Sequence, residues 1–337
     1  MLAGVSSATL AAIAGCAGSP ARNAASAKSS ASGSPSSVTV GIDIPFHPIW
    51  DYVKANSATY FANSGYSVNF RVLDATTQVP AFGANELDVV TTVPSFMPII
   101  RQQYKISTTY IFPLARWTIG PQILVPKSSP YRTLESLKGK TVAIPPLKER
   151  FGAEQAAIYA ATGQTIQEYF KLQQTDAAPQ QLSLGRVDAA FLEAPTTYPL
   201  LSSGKFVAIY SVHDAFLKAF GDPAVLNGGY IGRTSFVQQN PGFIKSLVKA
   251  TQDAWDLYNT NTTQVTTVAS KVSGVPVAEL KLVGQVLDLS MSTDLRQVLP
   301  RDVATWEKLF PVLQKAGFIK QAPTDVASMF VVTSNIK

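Results

Sequence analysis

Apolar residues recur along this chain at two spacings that alternate from segment to segment. Every second residue is apolar over residues 38–44 and again over 66–72, which is the spacing of a β-strand with one buried face. Between them, over residues 48–63, apolar residues recur at three- and four-residue intervals, which indicates a helix. The alternation continues, so we predict an α/β fold whose sheets are largely parallel and flanked by helices. Further strands are predicted at residues 108–113, 122–126, 141–144 and 206–210.

Two stretches of the chain, 85–95 and 185–195, share one pattern. Each contains a turn residue, an aspartate, a short apolar run and a polar residue close to proline, and the aspartates Asp88 and Asp188 are 100 residues apart. Each stretch predicts a helix end, a tight turn and a buried strand that stops at a loop. Loops at the carboxyl ends of parallel strands hold ligands in open α/β sheets. The pair therefore predicts two lobes with a ligand between them.

The composition narrows the range of partners. The chain has 337 residues, enough for two domains, and 46% of them are hydrophobic while 15% are charged, so large cores can be buried. The net charge of +6 is not concentrated in one run. Nucleic-acid binding requires clustered Lys and Arg beside aromatic platforms, so the sequence argues against a nucleic-acid partner.

The first 37 residues differ from the rest. An apolar run ends in Ile13, Ala14, Gly15 and Cys16, which resembles the lipobox of bacterial lipoproteins, in which the cysteine is acylated. We predict a signal peptide over residues 1–16. Residues 17–37 are almost entirely Ala, Ser, Gly and Pro, which is typical of a flexible tether. A lipid on Cys16 would then hold the protein at the outer face of the cytoplasmic membrane or in the periplasm.

Several later segments resemble one protein family in the same order. They include IPFHPIWDYV at residues 44–53, YFANSGYSV at 60–68, LESLKGKTVA at 134–143 and GRVDA at 185–189. The family is that of periplasmic substrate-binding proteins serving importers of nitrate, taurine, alkanesulfonates and thiamine pyrimidine precursors. The resemblance extends from about residue 38 to the C-terminal region.

The resemblance implies a periplasmic-binding-protein-like fold of type II. Each of its two lobes would be a mostly parallel sheet flanked by helices, and a two-strand hinge would join them. Lobe 1 would comprise residues 38–128 and 236–337, and lobe 2 residues 129–235. We expect the crossings near residues 126–131 and 227–234. The helix that contains Trp306 should cover lobe 1, with Trp255 and Trp306 in the core.

Candidate ligand-binding residues follow the predicted strand ends. Arg150 either clamps an acid group bidentately or belongs to a solvated charged turn. Glu193 either accepts a hydrogen bond from a ligand N–H group or pairs with Arg150 or Lys148. His47 resembles a position beside the ligand in the thiamine-precursor branch, or is a capping or core residue. The full set is Phe46, His47, Thr76, Thr92, Ser95, Arg116 and Trp117 in the first lobe, and Arg150, Phe151, Gly152 and Glu193 in the second.

The chemical inventory argues for binding rather than catalysis. The chain has two histidines and one cysteine, without metal-ligand spacing or a nucleophile or phosphate-loop motif. We therefore expect no metal, no cofactor and no enzyme activity. The expected protein is a monomeric solute-binding component that delivers a small organic ligand to an ABC permease with its ATPase.

The preferred ligand is an aromatic or heteroaromatic carboxylate or sulfonate. A thiamine-type pyrimidine precursor, an alkanesulfonate or taurine, and nitrate remain alternatives. An enzyme of pyrimidine-precursor synthesis and a ligand-sensing module are the alternatives from other classes.

Overall fold

A computed structural model describes residues 36–42, 47–73, 75–145, 152–193 and 196–331, without the side chains of residues 75, 76 and 286. The described residues form strands and helices that alternate over most of the chain. In chain order the strands are β1 (Ser36–Ile42), β2 (Tyr66–Val72), β3 (Val89–Thr92), β4 (Thr108–Pro113), β5 (Arg116–Trp117), β6 (Gln122–Pro126), β7 (Thr141–Ile144), β8 (Lys171–Gln174), β9 (Ala189–Leu192), β10 (Phe206–Ser211), β11 (Val225–Leu226) and β12 (Gly229–Arg233).

The helices flank these strands, and several of them begin at proline, which suits a first helical turn. In chain order they are α1 (Pro48–Ala55), α2 (Ser57–Tyr60), α3 (Ala75–Gly83), α4 (Met97–Tyr104), α5 (Gly152–Thr162), α6 (Ile166–Tyr169), α7 (Ala178–Ser183), α8 (Thr197–Ser202), α9 (Val212–Phe220), α10 (Thr234–Gln239), α11 (Pro241–Thr260), α12 (Thr262–Ser273), α13 (Val277–Val286) and α14 (Pro300–Lys315). Within the described ranges, no helix is both long and apolar enough to cross a membrane.

Two five-stranded sheets share one plan. The first has the strand order β2-β1-β3-β12-β4 and the second has the order β10-β6-β9-β7-β8. In each sheet four of the five strands run in the same direction, and one strand, β12 in the first sheet and β6 in the second, is antiparallel to both of its neighbours. The two sheets flanked by helices confirm the predicted α/β fold with mostly parallel sheets. The exceptions, β12 and β6, each arrive from the other sheet and run against their new neighbours.

The joint between the sheets is a short ribbon. The strands β5 and β11 pair antiparallel, two residues each, in a sheet of their own. The first crossing lies at residues 114–121, earlier than the predicted 126–131, because β6 already belongs to the second sheet. Likewise β12, which we assigned to lobe 2, pairs between β3 and β4 of the first sheet.

The C-terminal part of the chain connects the two sheets again. Helix α14 packs against α5 and α9, which flank the second sheet, whereas we expected it to cover the first. Residues after α14 return to the first sheet, where Asp325 pairs with Arg101 at 2.7 Å and Phe330 bridges to Tyr110 of β4. The two-strand hinge is therefore supplemented by further connections. Trp306 is fully buried within α14, as predicted for a core residue.

Candidate functional site

The aspartates of the repeated pattern hold equivalent strands. The Oδ2 atom of Asp88 accepts a hydrogen bond from the backbone amide of Thr39 in β1 at 2.8 Å. The backbone amide of Asp88 donates to the Thr39 carbonyl at 2.9 Å. Asp188 makes the same two bonds to Thr141 of β7, both at 2.9 Å. Each aspartate thus fixes the start of one parallel strand beside the next. The repeat is a structural device that sets the position of both strand ends.

The turns before the two aspartates are also equivalent. Asn85 and Gly185 adopt left-handed backbone conformations with φ values of 65° and 66°. The next amides, of Glu86 and Arg186, donate to the carbonyl five residues earlier, each at 3.0 Å. This bond closes a helix in the Schellman manner, and asparagine and glycine are the residues that tolerate the conformation best. The turns that lead into β3 and β9 therefore have the same backbone structure.

The end of β3 presents neutral polar groups. Thr92 and Ser95 are buried, as is Thr91, whose carbonyl accepts a 2.7 Å hydrogen bond from Gln78. The Oε1 atom of Gln78 has no hydrogen-bond partner in the described part of the chain. Thr76 lies in the first turn of α3, but its side chain is not described. Thr92 and Ser95 therefore stand at the strand end where we predicted them.

His47 occupies the N-cap position of α1. Its ring is buried, stacks on the Trp50 indole with a centroid distance of 4.4 Å, and places Nε2 3.1 Å from the Leu114 carbonyl. A carbonyl only accepts, so Nε2 carries the proton and donates. The Nδ1 atom, which has no partner among the described residues, is then a free acceptor. Burial lowers the pKa of His47 from 6.5 to about 4, so the ring is neutral at pH 7.

Two further residues in the same turn of α1 carry unpartnered polar atoms. The Nε1 atom of Trp50 and the Oδ2 atom of Asp51 are buried and lack partners in the described ranges. Burial raises the pKa of Asp51 from 3.8 to about 7, against the opposing charge of Lys54. Sequence reasoning missed both residues. Their spacing of three and four from His47 places all three on one side of the helix and was the available signal.

The end of β7 leads to an aromatic contact shared by both halves of the molecule. Gly152 begins α5, and a Cβ placed there would lie 2.8 Å from the ring of Phe318, which follows α14. The Phe318 ring also meets Phe96 edge-on, with centroids 6.0 Å apart. Phe96 follows Ser95 immediately. Phe318 therefore lies between the two strand-end regions, and a side chain at position 152 would have to displace its ring.

Two carboxyl groups stand at the ends of β7 and β9. Glu154, in the first turn of α5, is only 2% exposed, and its Oε2 atom has no partner among the described residues. Burial, and secondarily the charge of Glu193, raises the pKa of Glu154 well above its usual range. Glu193 directly follows β9 and is exposed. Glu154 was not predicted, because a glutamate in a first helical turn resembles an ordinary dipole-stabilising residue.

Arg116 and Trp117 lie in the hinge ribbon, where internal contacts hold both. All nitrogen atoms of the Arg116 guanidinium donate within the protein, to both carboxylate oxygens of Asp302 at 2.8 and 2.9 Å and to three backbone carbonyls. Trp117 packs against Phe216 and Trp306 with centroid distances of 5.5 and 6.5 Å. Arg116 has no donor left for a ligand, so we leave it out of the candidate site.

Four predicted residues lie outside the described residues. They are Phe46, which precedes His47, the neighbours Arg150 and Phe151, which precede Gly152, and Cys16. Their assignments remain predictions. In the part of the chain that the structure describes, no three His, Cys, Asp or Glu side chains are grouped as a metal site would require.

Comparison with known proteins identifies the class to which this architecture belongs. Residues 46–212 match the family model described as "ABC transporter, phosphonate, periplasmic substrate-binding protein". These residues belong to the periplasmic substrate-binding proteins of ABC transporters. The match includes the ends of β3, β7 and β9. No match was found among curated proteins.

Solved structures show the same fold at low sequence identity. The periplasmic aliphatic sulphonate binding protein SsuA from Escherichia coli is 16% identical, with a TM-score of 0.68 over 90% of this chain and 99% of its own. A putative periplasmic sulfonate-binding protein SsuA from Methylobacillus flagellatus is 19% identical, with a TM-score of 0.67 over 89% of this chain and 92% of its own.

The fold also serves an enzyme. A mutant of the desulfurization enzyme DSZB in complex with biphenyl-2-sulfinic acid has a TM-score of 0.59 at 14% identity, over 88% of this chain and 97% of its own. The family model that matches residues 46–212 describes a substrate-binding protein, so the fold is shared by binding proteins and by this enzyme. In a substrate-binding protein, the ends of the strands are where a ligand meets the protein. The chemistry of those ends therefore decides the ligand.

Proposed function

We propose that this substrate-binding component of an ABC importer takes an organic oxyacid of the sulfonate class that carries an aromatic or heteroaromatic group. The observation that carries this proposal is the Phe318 ring, which contacts Phe96 beyond β3 and Gly152 at the start of α5. An aromatic residue shared by both strand ends suits a flat ligand, because aromatic pairs stack or meet edge-on. The sulfonate binders and the sulfinate-bound enzyme with this fold support the same ligand class.

The acid group of the ligand would lie at the start of α5. The first amides of a helix lack partners within the helix and favour an anion, and α5 begins at Gly152. Arg150, two residues earlier, would add a bidentate contact. A carboxylate of the same shape would use the same groups, so an aromatic carboxylate belongs to the proposed range.

A second candidate, a thiamine-type pyrimidine precursor, is favoured by one observation. The Nδ1 atom of His47 is a buried acceptor without a partner among the described residues, and it fits an amino group or ring N–H better than an oxyanion. Glu193 would accept from the same kind of donor. This candidate requires no acid group on the ligand.

The remaining parts of the proposal concern the setting. The chain would be held at the membrane by a lipid on Cys16, act as a monomer, and present its closed form to a permease with its ATPase. It would bind its ligand without converting it. An assay that finds turnover of any bound compound would contradict this binding-only function.

A thermal-shift and calorimetric comparison of four compounds tests the ligand class. The full chain with Cys16→Ser, which removes the acylation site, is titrated with benzenesulfonate, methanesulfonate, benzoate and an aminopyrimidine. A compound present at 100 times its Kd adds about 2.7 kcal/mol of stability. We expect benzenesulfonate to bind more tightly than methanesulfonate. Binding of the aminopyrimidine alone would favour the second candidate, and binding of none of the four would reject both.

A further inference from the structure

The buried carboxyl group of Glu154 has an oxygen atom without a hydrogen-bond partner among the described residues. The side chain is only 2% exposed, and Oε2 forms no hydrogen bond within the described ranges. Leaving a buried polar group without a partner costs free energy, and such groups call for a specific explanation. None of the predicted roles of the strand-end residues accounts for Glu154.

The surroundings of Glu154 place its carboxyl group at the strand ends. The residue lies in the first turn of α5, the helix that follows β7 in the chain. Its charged neighbour is Glu193, directly after β9, and β7 and β9 are adjacent parallel strands. Parallel neighbours end at the same edge of a sheet, so Glu193 lies at the edge where the ligand of the proposed function would lie, and Glu154 is close enough to interact with its charge.

The chemical form of this group follows from its environment. Burial and the Glu193 carboxylate both raise the pKa of Glu154, so the environment favours the neutral acid, whose O–H group is a hydrogen-bond donor. Helix α5 also packs against α6, α9 and α14, and none of their charged groups is among the causes of the raised pKa. The charged side chains on these helices include Glu168, His213, Asp214, Lys218, Glu307, Lys308 and Lys315.

We propose that Glu154 is a ligand-contacting residue whose Oε2 hydrogen-bonds an acid oxygen of the ligand, beside the first amides of α5. The inference rests on the proposed function, since it assigns the acid group of that ligand to one named side chain. A sulfonate carries no proton at neutral pH and only accepts hydrogen bonds. A neutral carboxyl group supplies a donor to it, whereas an ionised one repels it. Binding of an oxyacid therefore weakens as the pH rises.

Calorimetric titration of benzenesulfonate between pH 5.5 and 9 tests the proposal, with the full chain carrying Cys16→Ser. Glu154→Gln keeps the size of the side chain and retains a donor that does not titrate. We expect the parent protein to lose about ten- to hundredfold in affinity across the range, as for the loss of a hydrogen bond to a charged group. Glu154→Gln should bind at low pH as the parent does and show a flat profile. Glu307→Gln, an exposed position on α14, serves as the matched control and should retain the parent profile.

A second variant keeps the proposal testable if Glu154→Gln fails to fold. Glu193→Gln removes a neighbouring negative charge from an exposed position, which lowers the pKa of Glu154. The decline in benzenesulfonate affinity should then begin at a lower pH.

Three results would overturn the proposal. A Glu154→Gln profile with the parent's pH dependence would show that Glu154 does not contact the ligand. An equal loss of benzenesulfonate affinity at every pH in Glu154→Gln would show that the side chain acts through its packing and not as a titrating hydrogen-bond donor. Failure of the parent protein to bind any acid of the panel would reject the proposed function itself, and the proposal about Glu154 with it.

Discussion

The backbone has the same conformation and hydrogen bonds at β3 and β9, but the polar side chains near the ends of the two strands differ. On each side a left-handed turn residue precedes an aspartate that bonds the amide and carbonyl of the neighbouring parallel strand, Asp88 with Thr39 and Asp188 with Thr141. The polar groups at the first end are hydroxyls and an imidazole. Those at the second end are the carboxyl groups of two glutamates.

Burial acts on the two ends in opposite directions. It lowers the pKa of His47, a base, to about 4, and it raises the pKa of Glu154, an acid. Burial therefore favours the neutral form of both side chains, which leaves an open acceptor at Nδ1 of His47 and, in the protonated acid, an open donor at Oε2 of Glu154. The repeated backbone determines where a polar group stands, and the local burial determines which form it takes. One lobe thus offers an acceptor and the other a donor.

The largest expected effect concerns the ion pair of the hinge ribbon, which links β5 to α14. Arg116 and Asp302 form a 2.8 Å ion pair whose side chains are both 0% exposed. Arg116→Met leaves the Asp302 charge buried and unpaired, which costs about 3–5 kcal/mol. Urea unfolding at pH 7 measures this loss. In this variant the ends of β3 and β9 could no longer be compared, because the fold that positions both would be destabilised.

A double variant separates charge burial from packing. Arg116→Met with Asp302→Leu removes both charges and should recover most of the stability, because well-packed apolar side chains often replace a buried ion pair without loss. No recovery in the double variant would show that the backbone carbonyls bonded by Arg116, rather than Asp302, carry the effect. Arg71, in an exposed pair with Glu86, offers a control: Arg71→Met should cost less than about 1 kcal/mol.

The opposite pKa shifts of His47 and Glu154 predict that these two groups change the free energy of unfolding in opposite directions as the pH rises, in the ligand-free protein. The folded pKa of His47 is about 4 against an ordinary 6.5, so below pH 6.5 the unfolded chain binds more protons. The free energy of unfolding then falls as the pH falls from 6.5 to 4, by up to about 3 kcal/mol. For Glu154 the folded form binds the proton more tightly, so stability falls as the pH rises above the ordinary glutamate pKa of 4.5.

Urea unfolding from pH 4 to 9 checks both contributions. The two contributions overlap between pH 4.5 and 6.5, where they have opposite signs. His47→Gln should remove the part of the stability that is lost as the pH falls below 6.5, and Glu154→Gln the part that is lost as the pH rises above 4.5. Asp51, whose pKa is raised to about 7, adds a fall between pH 4 and 7 from the first lobe, so Asp51→Asn is needed to separate its contribution. A loss of stability below pH 6.5 that persists in His47→Gln would contradict the neutral buried imidazole.

The elements that the sequence predicts well are those determined by local patterns. The strands β2, β4, β6 and β7 have the bounds expected from alternation, and the two turns follow from Asn85 and Gly185. Local patterns do not determine strand order. The insertion of β12 between β3 and β4 depends on residues more than 100 positions away. The placement of β6 in the second sheet likewise depends on β9 and β10, which lie more than 60 positions later.

The candidate site shows the same limit. Ser95 and Gly152 could be predicted because they follow buried strands. Arg116 was misjudged because its partner, Asp302, lies 186 residues later. Glu154 was missed because its burial depends on helices that pack on α5 from elsewhere in the chain. Long-range burial, which no local pattern reveals, decides whether a charged residue in a turn is structural, solvated or available to a ligand.

The smallest expected effect tests the equivalence of the two ends directly. Asp88→Ala and Asp188→Ala each remove the acceptor of one strand-starting amide, which costs about 1–3 kcal/mol for a partly buried donor left without a partner. The two losses, measured by urea unfolding at pH 7, should agree within about 0.5 kcal/mol, because the bonds match in length and the sites are too far apart in sequence to share a strand. Asp88→Asn and Asp188→Asn keep an oxygen acceptor and should each lose less than the alanine variants. A clear loss at only one of the two sites would mean that the two backbone arrangements are not energetically equivalent. The two ends would then differ in their backbone structure as well as in the side chains His47 and Glu154.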